Sequence, residues 1–238
     1  MFLFKRRKPG FMERFLKKSR KFDPFEIKGY EAALDYITAN KTPVTPKSLG
    51  LKLVVVADTH GYLAFGENRF AEFMDTVGDY DLCVLLGDHH AKDLKQILDC
   101  IPTEKIIAVK GNHDSFSLYS EHGIKDISGS SYIYRGVRFA GIDGSFKYKN
   151  EAFPSYTQHQ SLALGDRLPA ADVLLTHDVA LTDFNKDTAH LGLIGITHYV
   201  YKNGVQWHIH GHIHHSYEKR YDNGTTEKSV YLCEVVKL

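Results

Sequence analysis

Five apolar stretches of this chain stop abruptly at a cluster of Asp, Asn, Gly or His. LKLVVVA (51–57) ends at Asp58-Thr59-His60, LCVLL (82–86) at Gly87-Asp88, and KIIAVK (105–110) at Gly111-Asn112-His113-Asp114. DVLLT (172–176) ends at His177, and QWHIH (206–210) at Gly211-His212-Ile213-His214. Continuous β-branched runs of this kind belong to strands covered on both faces. Helical patterns follow, as in AKDLKQILDC (91–100) and SFSLYSEHG (115–123). Alternation of strands with helices predicts an α/β domain with a central, mixed sheet. In such a sheet, polar groups at the carboxyl ends of the strands converge on one place.

The remaining pattern fits one large domain with an appendage. A helix is expected over EIKGYEAALDYIT (26–38), and the proline-containing segment 38–50 reads as a connection into a main domain that starts near Gly50. The division is therefore 1–49, a basic leader with helix and linker, and 50–238, the domain. SYIYRGVRFAGID (131–143) reads as two strands joined at Arg135-Gly136, and Asn223-Gly224 supplies a two-residue hairpin turn.

Composition excludes several classes. With 43% hydrophobic and 25% charged residues the chain is globular, not disordered. No apolar run approaches the roughly 20 residues needed to cross a bilayer, and the opening MFLF is too short for a signal-peptide core, so a cytoplasmic location is expected. Cys83, Cys100 and Cys233 lack any C-x-x-C spacing and suggest neither a disulfide framework nor a thiolate zinc site. Charge is uneven: residues 1–21 carry nine Lys/Arg against one Glu, leaving 21 against 28 in the rest. The leader could touch nucleic acid, an anionic surface or a partner protein; a solvated tail is the plainer reading.

Any one of the five clusters is weak evidence, because Asp caps helices, Asn forms turns and a lone His is usually an ordinary hydrogen-bonded residue. Five together, drawn from Asp, Asn and His, point to a site. Carboxylate, amide oxygen and imidazole without thiolate suit Mn, Fe, Zn, Ni or Co, and there are enough ligands for two ions. Two ions require a shared carboxylate.

The order D-x-H, GD, GNH-D, a lone His and GH-x-H, over residues 51–215, resembles the calcineurin-like metallophosphoesterase family. The resemblance implies a sandwich of central mixed β-sheets flanked by helices. It implies that Asp58, His60 and His214 hold one divalent ion and Asn112, His177 and His212 the other, with Asp88 between them and manganese the expected metal. It further implies direct attack on phosphorus by a metal-bridging hydroxide without a phosphoenzyme. His113 would donate a proton to the leaving oxygen or steady the transition state, and Asp114 would orient that imidazole. Of the five histidines in WHIHGHIHHSY (207–217), His212 and His214 are then ligands, while His208, His210 and His215 orient ligands, face substrate or pack.

The chain departs from the protein Ser/Thr phosphatase branch, which extends the second motif as GD-x-V-D-R-G and the third as GNHE. Here the sequences are GDHHAKD and GNHD, and the phosphate-gripping arginine is absent. That moves the expected substrate towards a phosphodiester, including nucleotide derivatives or nucleic acid. His89 could touch the site or sit in a solvated loop, as could His90. Lys147 and Lys149 could meet phosphate, Tyr148 or Tyr156 could stack on a base, and 179–206 is a second candidate rim. The competing readings are a nuclease anchored by the leader and a catalytically silent, metal-binding scaffold.

Overall fold

Lys52–Ala57 (β1) sends Leu53, Val55 and Ala57 to one face and Val54 and Val56 to the other, and all five are fully buried. A strand of that kind needs cover on both sides, and the computed structural model supplies it. The structure describes residues 27–65, 69–147, 154–184 and 189–238. The basic leader at 1–21, Tyr148 and Lys149, singled out above, lie outside the described residues.

One five-stranded sheet runs parallel from β1 through Leu82–Leu85 (β2) and Ile106–Ala108 (β3) to Lys125–Asp126 (β4). Its other edge, Leu232–Lys237 (β13), is antiparallel to β1. The second sheet has six strands, with Val137–Ile142 (β6), Val173–Thr176 (β9), Trp207–His210 (β10) and Thr226–Ser229 (β12) parallel in that spatial order. Antiparallel edges Ser131–Tyr134 (β5) and Tyr217–Arg220 (β11) complete it. Ser145–Phe146 (β7) and Ser155–Tyr156 (β8) form a small parallel pair.

The two large sheets stack face to face. Leu53, Val55 and Val84 of the first meet Phe139, Leu175 and Ile209 of the second. Helices Arg69–Val77 (α2) and Ala91–Cys100 (α3) cover the first sheet's outer face through Phe70, Leu94 and Ile97. Helices Ile27–Ala39 (α1), Gln158–Arg167 (α5) and Ile194–Asn203 (α6) cover the second through Ala33, Leu162, Ile196 and Tyr199. Each fully buried Leu, Ile, Val or Phe contributes about 1.5–3 kcal/mol by leaving water. The result is a four-layer sandwich, and none of its described helices is long and apolar enough to cross a membrane.

Several local expectations change. The helical pattern at 115–123 shrinks to one turn, Leu118–Glu121 (α4). Asn223-Gly224 does sit in a hairpin, between β11 and β12, but in a longer loop: only Gly224 has positive φ, and the Tyr221 N–H donates to the Thr225 carbonyl. The segment 179–206 is not simply a rim, since its second half is α6, whose residues 194–201 are all buried.

Candidate metal centre

Carboxyl ends of β1, β2, β3, β9 and β10 deliver the clusters to one spot. Loops can meet there only where a side chain is missing: a Cβ on Gly87 would lie 2.1 Å from the Gly111 nitrogen, and one on Gly111 would lie 2.0 Å from Asp88 Oδ1. The glycines of the GD and GNHD motifs therefore let two backbones touch. Around them, Asp58, His60, Asp88, His212 and His214 all adopt positive φ, between 43 and 69°. That conformation costs a non-glycine residue about 1–2 kcal/mol, and five such residues in one place mark a site whose surroundings over-determine it.

Two groups of donors result, with atoms inside each group within 4.8 Å of one another: Asp58, His60 and His214, and Asp58, Asp88 and His177. His60 Nε2 lies 3.1 Å from His214 Nε2, which is 3.6 Å from Asp58 Oδ1. Buried Asp58 Oδ1 has no hydrogen-bond partner among the described residues, although Oδ2 accepts the His212 N–H at 2.7 Å. Deeper in, His177 Nε2 meets Asn112 Oδ1 at 2.9 Å and His212 Nδ1 at 3.2 Å. Asp88 joins the halves: its Oδ2 is 3.7 Å from His60 Nε2 and 3.5 Å from His177 Nε2. An orphaned buried carboxylate oxygen among converging imidazole nitrogens is the surrounding a divalent cation fits.

The ring tautomers are set from outside. His177 donates from Nδ1 to the Leu86 carbonyl at 2.7 Å, and His212 donates from Nε2 to the Ala189 carbonyl at 2.8 Å, leaving Nε2 and Nδ1 respectively for the cluster. Burial alone would lower the His177 pKa, but the charges of Asp88 and Asp58 outweigh it and lift it to about 9. His214 is raised chiefly by the approach of its Nε2 to the Asp58 carboxylate at 3.6 Å. Burial would raise the Asp58 carboxyl, yet the nearby His214 ring and the His177 charge hold it below its ordinary range. His212 is depressed by burial.

His113 is exposed, its ring edge-on to His60 with centroids 5.7 Å apart, and its backbone N–H donates to Asp88 Oδ1 at 2.8 Å. Asp114 is buried, accepting the backbone N–H of His89 at 3.0 Å on Oδ1 and those of Asp88 at 3.0 Å and Gly111 at 2.8 Å on Oδ2. Through these contacts Asp114 latches the second loop to the third. His89 is 6% exposed, so it occupies no solvated loop; its Nδ1 meets the Thr59 hydroxyl at 3.1 Å and burial depresses its pKa. His90 is instead the N-cap of α3, its Nδ1 accepting the Lys92 N–H. The half-buried Lys147 bonds to Tyr156 through its backbone, and its side chain makes no hydrogen bond or ion pair with the cluster among the described residues. Tyr156 donates its hydroxyl to Asp143 at 2.6 Å.

Asp93 went unnoticed in the sequence. Wholly buried on the inner face of α3, it accepts the N–H of Gly61 at 2.6 Å and of Ala64 at 2.9 Å, tying down the loop that follows His60. An acid on the apolar side of an amphipathic helix was the available signal.

A family profile described as the calcineurin-like phosphoesterase superfamily domain matches residues 51–232. No curated protein matches the chain. Among solved structures, the chain resembles a phosphopantetheinyl hydrolase of Mycobacterium tuberculosis, with 14% identity, a TM-score of 0.51 and coverage of 77% of this chain and 91% of that one. It also resembles a dimetal phosphatase of Danio rerio, with 11% identity, a TM-score of 0.51 and coverage of 81% and 93%. At such identities the likeness establishes the fold.

Proposed function

The chain belongs to the calcineurin-like phosphoesterase superfamily, and from that premise we propose that it hydrolyses a phosphodiester with two divalent cations, manganese first among them. Asp58, His60 and His214 would hold one cation, and Asn112, His177 and His212 the other. The observation that carries this reading is the position of Asp88, one of whose oxygens faces both His60 and His177. When bound, such cations polarise phosphoryl oxygens and lower the pKa of water enough for it to attack at neutral pH.

The protein's own residues do the rest. His113 projects from the third loop on the exposed side of the cluster, where a leaving oxygen needs a proton, and serves as the general acid. Asp114 holds the second and third loops together, which fixes His113 relative to Asp88. Diester preference follows from GDHHAKD, which lacks the arginine that grips a monoester in the protein phosphatase branch.

Hydrolysis of bis-p-nitrophenyl phosphate by Mn²⁺-loaded protein tests the proposal. His113→Ala should lose about 10²–10⁴-fold in rate, and Asp88→Asn should abolish turnover. Full turnover by Asp88→Asn would refute the assignment.

A further inference from the structure

Strand β12 grips the segment 211–215 from behind. Its register sets Glu227 beside His208 and Ser229 beside His210. The Ser229 hydroxyl donates to the His215 carbonyl at 2.8 Å, and the Val230 N–H donates to the His210 carbonyl at 2.8 Å. Glu227 Oε1 lies 3.1 Å from His210 Nε2 and accepts the Tyr217 hydroxyl at 3.0 Å, while Oε2 lies 3.1 Å from Lys219 Nζ. The other His210 nitrogen, Nδ1, meets the Gly211 carbonyl at 2.9 Å. Both ring nitrogens thus face acceptors, and the imidazole ties Glu227 to the first residue of the loop.

Neither Glu227 nor His210 is exposed at all. Burial would raise the Glu227 carboxyl, but the His210 hydrogen bond, with the charges of His210 and Lys219, holds it well below its ordinary range. A buried ionic network is weak at stabilising a fold, since apolar residues of the same volume usually do as well. It can, however, fix a local geometry. The segment it grips holds two left-handed non-glycine residues, His212 with φ 69° and His214 with φ 51°, whose strain persists only under outside constraint.

We propose that Glu227 and Ser229 are positioning residues for the metal centre, clamping both ends of the segment 211–215 so that His212 and His214 face the cluster before any cation arrives. The inference rests on the metal centre proposed above. Its consequence is that metal affinity depends on a strand that supplies no ligand, as it does for outer contacts of ligating histidines generally.

Calorimetric titration of metal-free protein with Mn²⁺, alongside thermal unfolding of the same samples, tests it. Ser229→Ala and Glu227→Gln should each weaken Mn²⁺ binding by about tenfold or more, and Ser229→Thr, which keeps the hydroxyl, should restore it. Thr225→Ala is the structural control, because it removes an equally buried hydroxyl bond, to the Val205 carbonyl at 2.6 Å, from the loop between β11 and β12. It should lower the unfolding temperature of the metal-free protein and leave affinity unchanged. Wild-type affinity in both Ser229→Ala and Glu227→Gln, or an equal loss in Thr225→Ala, would overturn the clamp while leaving the phosphoesterase reading intact. Failure of the wild-type protein to bind Mn²⁺ would overturn both.

Discussion

The Nδ1 proton of His177 is donated to the carbonyl of Leu86 at 2.7 Å, so one hydrogen bond ties the end of β9 to the end of β2 and turns Nε2 into the cluster. With its pKa lifted from 6.5 to about 9, the ring holds a second proton at neutral pH in the metal-free protein. A cation must displace that proton. Mn²⁺ affinity should therefore rise by about tenfold per pH unit between pH 6.5 and 8.5. Titrations at three pH values check this, and an affinity flat across that range would exclude His177 as a ligand.

Gly111→Ala probes the contact between the second and third loops. The added methyl would stand 2.0 Å from Asp88 Oδ1, an atom already accepting the His113 N–H. Because Gly111 has an ordinary φ, the conflict is steric rather than conformational. Overpacking of this kind costs about 1–3 kcal/mol, and relief requires Asp88 to move. A lower urea midpoint with weakened Mn²⁺ binding is expected; an unchanged midpoint would mean that the loops are not in contact.

Asp114→Ala separates a latch from an imidazole partner. Removing the carboxylate leaves the N–H groups of Asp88, His89 and Gly111 without their acceptor in a buried place, at about 1–3 kcal/mol for each one left unsatisfied. The metal-free protein should lose several degrees of thermal stability. A variant that unfolds like the wild type yet has lost activity would assign Asp114 to the His113 ring instead.

What the sequence revealed was whatever is written in local chemistry. Runs such as LKLVVVA announce doubly covered strands, and glycines beside Asp and Asn announce where the strands stop, so the sheets and the convergence at their ends were legible. Contacts made at long range were not. Glu227 looks like one more surface charge in TTEKS until the fold buries it against His210. His208 and His210 share a β10 face with each other rather than with the ligands beyond Gly211, which no spacing rule reveals once a strand ends in a loop with positive φ. Helix α5 has no apolar periodicity to announce it, and the capping box of Thr157 and Gln160 at its start is hidden by the polar composition around it. The apolar run in α6 reads as a rim in the sequence because it lies between two site motifs.

His208 gives the acid limb of stability. Its Nδ1 meets the Tyr221 hydroxyl at 2.9 Å and its Nε2 the Thr176 hydroxyl at 2.8 Å, in a fully buried place. Burial, reinforced by the charge of His210, pushes its pKa from 6.5 down to about 3. Below pH 6.5 the unfolded chain takes up a proton here while the folded chain does not, so stability drains away as pH falls towards 3. Between pH 6.5 and 5 this one ring should cost the metal-free protein roughly 1.5 kcal/mol, before the carboxylates begin to titrate. Urea unfolding with chelator at pH 7, 6 and 5 reads the slope, and His208→Gln, which cannot take up the proton, should flatten it by that amount. An identical slope in His208→Gln would mean that the ring takes up its proton inside the folded protein, with both ring nitrogens donating, to the Thr176 and Tyr221 hydroxyls.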